Sequence, residues 1–370
     1  MNKLKTAVVI FSLAFVFIGW GGDGHQIINN NSVYSLPANA SYLISWQIML
    51  KEHASDADYR KGDDPTEAPK HYIDIDNYPE FVTNGYISQS LDSLIQIYGN
   101  SFVYDQGILP WAVLASYDSL KSAFIHYNWD KAVLYAADLG HYIGDAAMPM
   151  HITKNYNGQL TNQSGIHSRY ETKMIDRYKT EIVYSYDMAQ KIENVPNYVF
   201  NYLYSSYPYV DSLLSADIQA KGFAGGSYNT NYYTKLWSLT KNFTIKLFAK
   251  SSLGLASLIY TAWVESGSPT PTGVEENNET NPNCFQVFQN YPNPFNGSTI
   301  ISYYLPKDGN VSFNIYDCLG NKVYNENIGF KNSGKQTISY HTSNNLSSGV
   351  YIYQIEANGI KQNCKMLLLK

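Results

Sequence analysis

His141-Tyr-Ile-Gly-Asp145-Ala-Ala-Met-Pro-Met-His151, followed after a Gly/Asn loop by His167-Ser-Arg-Tyr-Glu171, is the stretch whose reading decides the fold. Residues four apart share one face of a helix, so His141 and Asp145 point together, and so do His167 and Glu171. Pro149 predicts the end of the first helix near Met148 and swings His151 out on the exit turn. Imidazole and carboxylate together are what a borderline cation such as zinc takes when no thiolate is offered. Packing alone gives no reason for these five groups to recur at helical spacing.

Working outward, the apolar pattern of Ala38, Ala40, Leu43, Ile44, Trp46, Met49 and Leu50 predicts an amphipathic helix within Gln26 to Lys51. The polar, glycine-punctuated run from His53 to Asp64 reads as a loop, and it leads to Lys70-His71-Tyr-Ile-Asp74-Ile-Asp76. Helical stretches are expected at Leu91 to Tyr98, Leu109 to Tyr127, Asp130 to Ala147, Glu171 to Ile192, Val195 to Leu214 and Tyr233 to Val264. Interior prolines are few and hairpin signals nearly absent before residue 265, so this part reads as all-α.

From Ser266 to Asn283 the composition turns to Pro, Ser, Thr, Asn and Glu, which marks a linker. Beyond it the period becomes alternating. Ser298 to Tyr304, Val311 to Tyr316, Lys322 to Asn327, Gln336 to His341, Val350 to Glu356 and Lys361 to Leu369 read as strands separated by glycine turns, which predicts a small all-β sandwich. Cys284, Cys318 and Cys364 all lie in this tail, so at most one disulfide can form. The helical part has no thiol, and any cross-link there must come from metal.

The 370 residues are enough for two or three domains, and with 44% of them hydrophobic and 15% charged a sizeable core is expected. A formal net charge of -5 argues against a basic phosphate-tracking surface but leaves nucleic acid open as a substrate in a metal-lined cleft. The 34 tyrosines suit an exported protein with half-exposed stacking surfaces. Met-Asn-Lys-Leu-Lys followed by the apolar run Thr6 to Gly19 reads as a secretory signal peptide over 1–19, with a retained anchor as the alternative. Cleavage after Gly19 exposes Trp20 ahead of Gly-Gly-Asp23-Gly-His25.

These residues resemble the zinc-dependent phospholipase C and single-strand-specific nuclease superfamily over roughly Trp20 to Glu265. The resemblance implies a multi-helix catalytic domain over 20–265 with three zinc ions. One would be held by Asp58, His71, His141 and Asp145, with Asp56 competing for the place of Asp58. A second would be held by His151, His167 and Glu171. The third would take the Trp20 α-amino nitrogen and carbonyl oxygen, His25 and the bridging Asp145. Phosphodiester hydrolysis through a metal-bound hydroxide is implied, with Asp58 as its orienting base. Arg60 is a candidate phosphate contact, because an arginine fork matches phosphate oxygens.

Asp23 and Tyr59 occupy the places of the choline receptor in choline-preferring phospholipases C, whereas Ala68 stands where that receptor has a phenylalanine. The segment ending in Glu171 is similar to the phospholipase branch; the short spacing from Trp20 to His25 is similar to the nucleases. Phospholipase C is the favoured reading, with a phospholipid or membrane-surface substrate. A single-strand-specific endonuclease or 3′-nucleotidase is the alternative. A non-enzymatic zinc-stabilised surface module is a third reading, disfavoured because sites with three protein residues leave room for water.

The tail carries Tyr291-Pro-Asn-Pro-Phe-Asn296, Ile315-Tyr-Asp-Cys-Leu-Gly320, Leu346-Ser-Ser-Gly-Val-Tyr351 and Lys365-Met-Leu-Leu-Leu-Lys370. It resembles the C-terminal sorting domain of type IX secretion, assigned to 284–370 after a linker at 266–283. That implies the secretion machinery as a partner and a secreted or cell-surface location, with no obligate protein partner otherwise.

Overall fold

The computed structural model describes residues 21–270, 285–288, 290, 293–342 and 346–369. The expected leader 1–19, Trp20, the expected linker from residue 271 to 283, Cys284, Tyr291, Pro292 and Lys370 lie outside those residues. The chain divides into a helical unit, up to Ala123 and from Asp130 to Glu265, and a second unit that takes Phe124–Trp129 together with the β-rich part from Ser266.

The helical unit begins with α1 (Gly21–Ser32), the 3₁₀ turns Val33–Ser35 and Ala38–Trp46, α2 (Gln47–Glu52), α3 (Asp56–Arg60) and a 3₁₀ turn at Ala68–His71. Then come α4 (Pro79–Asn84), α5 (Leu91–Tyr98), α6 (Asn100–Asp105), α7 (Leu109–Ile125) and α8 (Trp129–Ala147). After the 3₁₀ turn Pro149–His151, α9 (Ile166–Ser168) runs through a π-helical turn (Arg169–Met174) into α10 (Ile175–Tyr178). α11 (Val195–Tyr204), α12 (Tyr209–Phe223) and α13 (Thr230–Glu265) complete it. Local chemistry sets the boundaries. Ser90 Oγ accepts from Ser93 N at 3.2 Å to cap α5, and Asn194 Oδ1 accepts from Asn197 N at 2.9 Å to cap α11. Pro79 opens α4, and Gly85 closes it at φ +81°.

α13 is long and apolar enough to cross a membrane by length and composition, but 72% of its most apolar window is buried. Its buried hydroxyls are satisfied: Thr240 and Ser251 each bond back to the carbonyl four residues earlier at 2.8 Å, and Ser252 Oγ donates to Ile28 O at 3.0 Å.

α8 is the element on which the site rests, and two glycines let α1 approach it. A Cβ on Gly140 would meet Asn29 Oδ1 at 2.1 Å, and one on Gly144 would meet His25 Nδ1 at 3.0 Å. Asn29, fully buried, uses the room to donate to Ala137 O at 3.1 Å and Leu50 O at 3.0 Å, tying α1 to α8 and α2.

The structure departs from the expected elements in four places. The amphipathic helix expected within Gln26 to Lys51 is divided into the end of α1, two 3₁₀ turns and α2, because Pro37 has no amide hydrogen to continue a helix. The segment read as a loop from His53 to Asp64 contains α3, which lifts Asp58 into the interior. The helix expected to reach Ile192 ends by Glu181, because Ile182, Val183 and the tyrosines after them are poor helix formers. The extended chain is held by tertiary bonds instead: Tyr184 OH lies 2.8 Å from Ser252 Oγ, and Ala189 N donates to Ser35 O at 2.8 Å. The helix expected over Val195 to Leu214 breaks at residues 205–208, where Pro208 has no amide hydrogen to continue it.

In the β unit, β1 (Gln286–Val287), β2 (Ser298–Leu305) and β5 (Gly334–His341) form one antiparallel sheet in the order β1-β2-β5. β3 (Gly309–Tyr316), β4 (Lys322–Lys331), β6 (Gly349–Ala357) and β7 (Ile360–Leu368) form the other, in the order β4-β3-β6-β7. Alternate residues face one shared core that includes Ile301, Tyr303, Phe313, Tyr340, Tyr353 and Leu368, so the unit is a sandwich. The β3–β4 turn closes because Asp317 Oδ1 accepts from Leu319 N and Asn321 N, both at 2.9 Å. Cys318 and Cys364 are free thiols.

Candidate metal centre

α8 presents His141 and Asp145 on its buried face, with His141 Nε2 3.4 Å from Asp145 Oδ2. His71, at the end of its 3₁₀ turn, places Nδ1 3.0 Å from both Asp145 Oδ2 and His141 Nε2. α3 brings Asp58 Oδ1 to 3.6 Å from His71 Nδ1 and 3.5 Å from His141 Nε2. From α1, the His25 ring stacks on His141 at 3.8 Å, and its Nε2 lies 3.4 Å from Asp145 Oδ1. The turn after α8 sets His151 Nε2 3.6 Å from Glu171 Oε2, and His167 Nε2 contacts that same oxygen. Their donor atoms form three groups, the first two sharing His141: His25, His141 and Asp145; Asp58, His71 and His141; His151, His167 and Glu171. Every one of these side chains is buried.

The donors fit zinc. Ligands bound at about 2.0–2.2 Å in a tetrahedron lie about 3.4 Å apart, which is the spacing of most of these pairs. Asp145 Oδ1, His151 Nε2, Glu171 Oε2 and both His25 nitrogens are buried without a well-formed hydrogen bond, an expensive arrangement unless a cation completes it. The outer ring nitrogens are already committed. His141 Nδ1 donates to Ala54 O at 2.8 Å, His151 Nδ1 to His71 O at 2.6 Å and His167 Nδ1 to Tyr156 O at 2.9 Å, which turns each Nε2 lone pair inward.

The electrostatics point the same way. Burial alone would raise the Asp145 pKa, but His151 and His141 outweigh it and hold it well below the ordinary carboxylate range. Burial is likewise overcome at Asp58, by His141, and at Glu171, by His167 and His151, and both pKa values are lowered. Conversely, burial opposes protonation of His141 and His151, yet Asp145 raises both, His151 to about 9. His25 is lowered by burial and by the charge on His141. Three buried carboxylates thus stay ionised and bind protons through their histidines; a divalent cation bound there would replace those protons.

The remaining expected residues are placed as follows. Trp20 lies outside the described residues, but the adjoining Gly21 N is 3.4 Å from Glu171 Oε1, so the chain enters the helical unit at the cluster. Asp56 lies outside the cluster and pairs with His53 at 2.6 Å. Asp58 Oδ1 is also 2.5 Å from Lys61 Nζ. Asp23 is paired with Lys179 at 2.5 Å, and Tyr59 is 74% exposed. Arg60 does not offer the free fork expected for phosphate. Its guanidinium is closed on Asp138 at 3.0 Å and Glu67 at 3.4 Å, because α3 turns it towards α8.

Two supporting residues were not among those expected. Arg169 is buried, with Nη2 3.0 Å from Asp217 Oδ1 and 3.0 Å from Gln163 O, Nη1 2.8 Å from Ser164 O, and the Tyr228 ring 3.9 Å beneath it. It ties the π-helical turn carrying Glu171 to α12; such turns are frequent at functional sites. Glu67 is 1% exposed beside His71 and could have been noticed only from its i,i+4 spacing.

Residues 289–369 match the secretion system C-terminal sorting domain family. No curated protein matches the sequence. Among solved structures, the alpha toxin of Clostridium absonum aligns with a TM-score of 0.44 and 12% identity, over 95% of this chain and 98% of that one. The alpha-toxin of Clostridium perfringens from an avian strain aligns with a TM-score of 0.44 and 13% identity, over 95% and 98%.

Proposed function

We propose that the helical unit is a secreted zinc-dependent phosphodiester hydrolase, a phospholipase C acting on phospholipid head groups with three zinc ions. The observation that carries it is the three buried histidine and carboxylate groups, two of them sharing His141 and the third made of His151, His167 and Glu171. Asp58, His71, His141 and Asp145 would hold one ion and His151, His167 and Glu171 another. His25 and Asp145 would hold the third, together with the α-amino nitrogen and carbonyl oxygen of Trp20. Zinc bound there would supply Lewis acidity and a water acidic enough to ionise near neutral pH. Asp58 Oδ2 has no hydrogen-bond partner, so that oxygen would serve as the orienting base for the attacking water. The site residues together bury negative charge deeply and leave an anionic phosphodiester dependent on the bound cations for its reception.

Selectivity for choline is not part of the proposal. The Asp23 carboxylate is engaged by Lys179, and Ala68 supplies no ring. The nuclease reading is the second one, favoured by the five-residue step from Trp20 to His25. The sorting-domain match supports export, which we assign to the type IX route after removal of the leader. The test is a parallel assay of mature protein on phosphatidylcholine, phosphatidylethanolamine and single-stranded DNA, with chelator and zinc add-back. Lipid turnover abolished by chelator and restored by zinc is the expected result. Cleavage of DNA alone would transfer the assignment to the nucleases, and turnover of none of them would remove the enzymatic reading.

A further inference from the structure

Glu67 lies on the side of His71 away from the cluster and belongs to neither the ligand set nor the substrate residues. Its Oε1 is 3.5 Å from His71 Nε2 and also receives the Tyr142 hydroxyl and Arg60 Nη2, the latter at 3.4 Å; its Oε2 is 2.7 Å from Lys70 Nζ. Arg60 is anchored in turn by Asp138 at 3.0 Å. Glu67 is 1% exposed, and a carboxylate that far from water is retained only where such partners compensate it.

His71 differs from its neighbours in this respect. His141, His151 and His167 each fix the outer nitrogen on a backbone carbonyl, whereas the outer nitrogen of His71 faces this charged side chain. His71 also faces the cluster through Nδ1, the opposite choice from the other three. An anion beside Nε2 favours the tautomer with the proton there and leaves the Nδ1 lone pair free, 3.0 Å from Asp145 Oδ2 and from His141 Nε2.

We propose that Glu67 is a positioning residue of the metal centre, which holds His71 as the Nε2–H tautomer with Nδ1 available as a ligand, and that Tyr142, Lys70 and Arg60 hold Glu67 in place. This explains why the Arg60 fork is spent on carboxylates. It also accounts for the hydroxyl on Tyr142, next to the ligand His141, at a buried position where a phenylalanine would fill the same space. The inference rests on the zinc reading of the cluster.

The test uses mature full-length protein and the variants Glu67→Gln, Glu67→Ala and Tyr142→Phe, each measured for zinc stoichiometry and affinity, for turnover, and by ¹⁵N NMR of the histidine rings in the chelated state. Glu67→Ala is expected to weaken one zinc by roughly 10- to 100-fold, with the other ions retained and His71 shifted from the Nε2–H form. Glu67→Gln, which keeps an acceptor oxygen, should recover much of that loss, and Tyr142→Phe should lose less than Glu67→Ala. Tyr142→Phe also keeps the test decisive if Glu67→Ala does not fold, since an unchanged His71 tautomer and affinity there and in Glu67→Gln overturns the role. Equal weakening of all three ions would show a general structural effect and also overturns it. If the unsubstituted protein binds no zinc, the zinc reading fails and this inference with it.

Discussion

Replacing Asp145 with asparagine removes one charge and almost no volume, and the surroundings allow the consequence to be worked out. Asp145 lies 3.0 Å from His71 Nδ1, 3.4 Å from His25 and His141 Nε2, and 3.5 Å from His151 Nδ1. In metal-free protein its charge raises His141 and His151, the latter to about 9. A raised histidine contributes stability that is complete below its unfolded pKa of roughly 6.5 and is lost as pH rises through the folded value. Asp145→Asn should therefore destabilise chelated protein by about 3 kcal/mol at pH 6, the lower end for breaking a buried pair, and by much less above pH 9. In protein loaded as proposed, the same change removes a ligand from both ions that Asp145 would hold. Four-ligand structural sites bind with about 10–16 kcal/mol, so one ligand is worth about 3 kcal/mol, or roughly a hundredfold in affinity. Denaturant unfolding of chelated protein at pH 6 and pH 9, with zinc counted per chain, measures both. The reasoning fails if the variant keeps three ions at unchanged affinity, or if its stability deficit does not shrink as pH rises.

Three other outcomes are expected. Gly140→Ala gains about 1 kcal/mol of helix propensity but sets a methyl 2.1 Å from the locked Asn29 Oδ1, so a net loss of about 2 kcal/mol should appear in urea melts; a variant as stable as the parent would show that α1 can retreat from α8 at no cost. Arg169→Lys cannot reproduce the fork on Asp217, Gln163 and Ser164, and should lose about 3 kcal/mol of stability and preferentially the zinc at His167 and Glu171, which metal analysis of the purified variant would show. A chain carrying one alanine ahead of Trp20 replaces an amine of pKa roughly 7.7–8.0 by a peptide nitrogen with no available lone pair, so it should keep two zincs and lose most of the third; three zincs and equal turnover in both chains would end the N-terminal ligand assignment.

Much of the architecture is present in local sequence. Leu91 to Tyr98 and Asp130 to Ala147 carry helical period and end signals that need no distant partner, and the alternation after residue 298 describes a half-buried strand on its own terms. The i,i+4 pairs His141–Asp145 and His167–Glu171 are legible for the same reason, since one turn of helix brings their side chains together. Local pattern fails where a tertiary partner decides the backbone. Residues 182–194 have enough apolar spacing for a helix, yet Ser35, Ser252 and Asn31 hold that chain extended, and nothing near residue 184 announces them.

The site divides along the same line. The identity of its donors can be read from the chain, because few residue types bind a cation and their spacing is unusual. Their assembly cannot, because His25 reaches α8 through the approach that Gly140 and Gly144 permit and Asn29 secures, and Asp58 and His71 are brought there by separate elements far away in the chain. Charge partnership is also non-local. Asp23 meets Lys179 across 156 positions and Arg60 meets Asp138 across 78, so a carboxylate expected to receive an ammonium and a guanidinium expected to receive phosphate are each neutralised from within the protein. Residue type sets which chemistry a side chain can perform, but Coulomb interactions fall off with distance in space rather than along the chain, so only the folded arrangement determines which charges remain available.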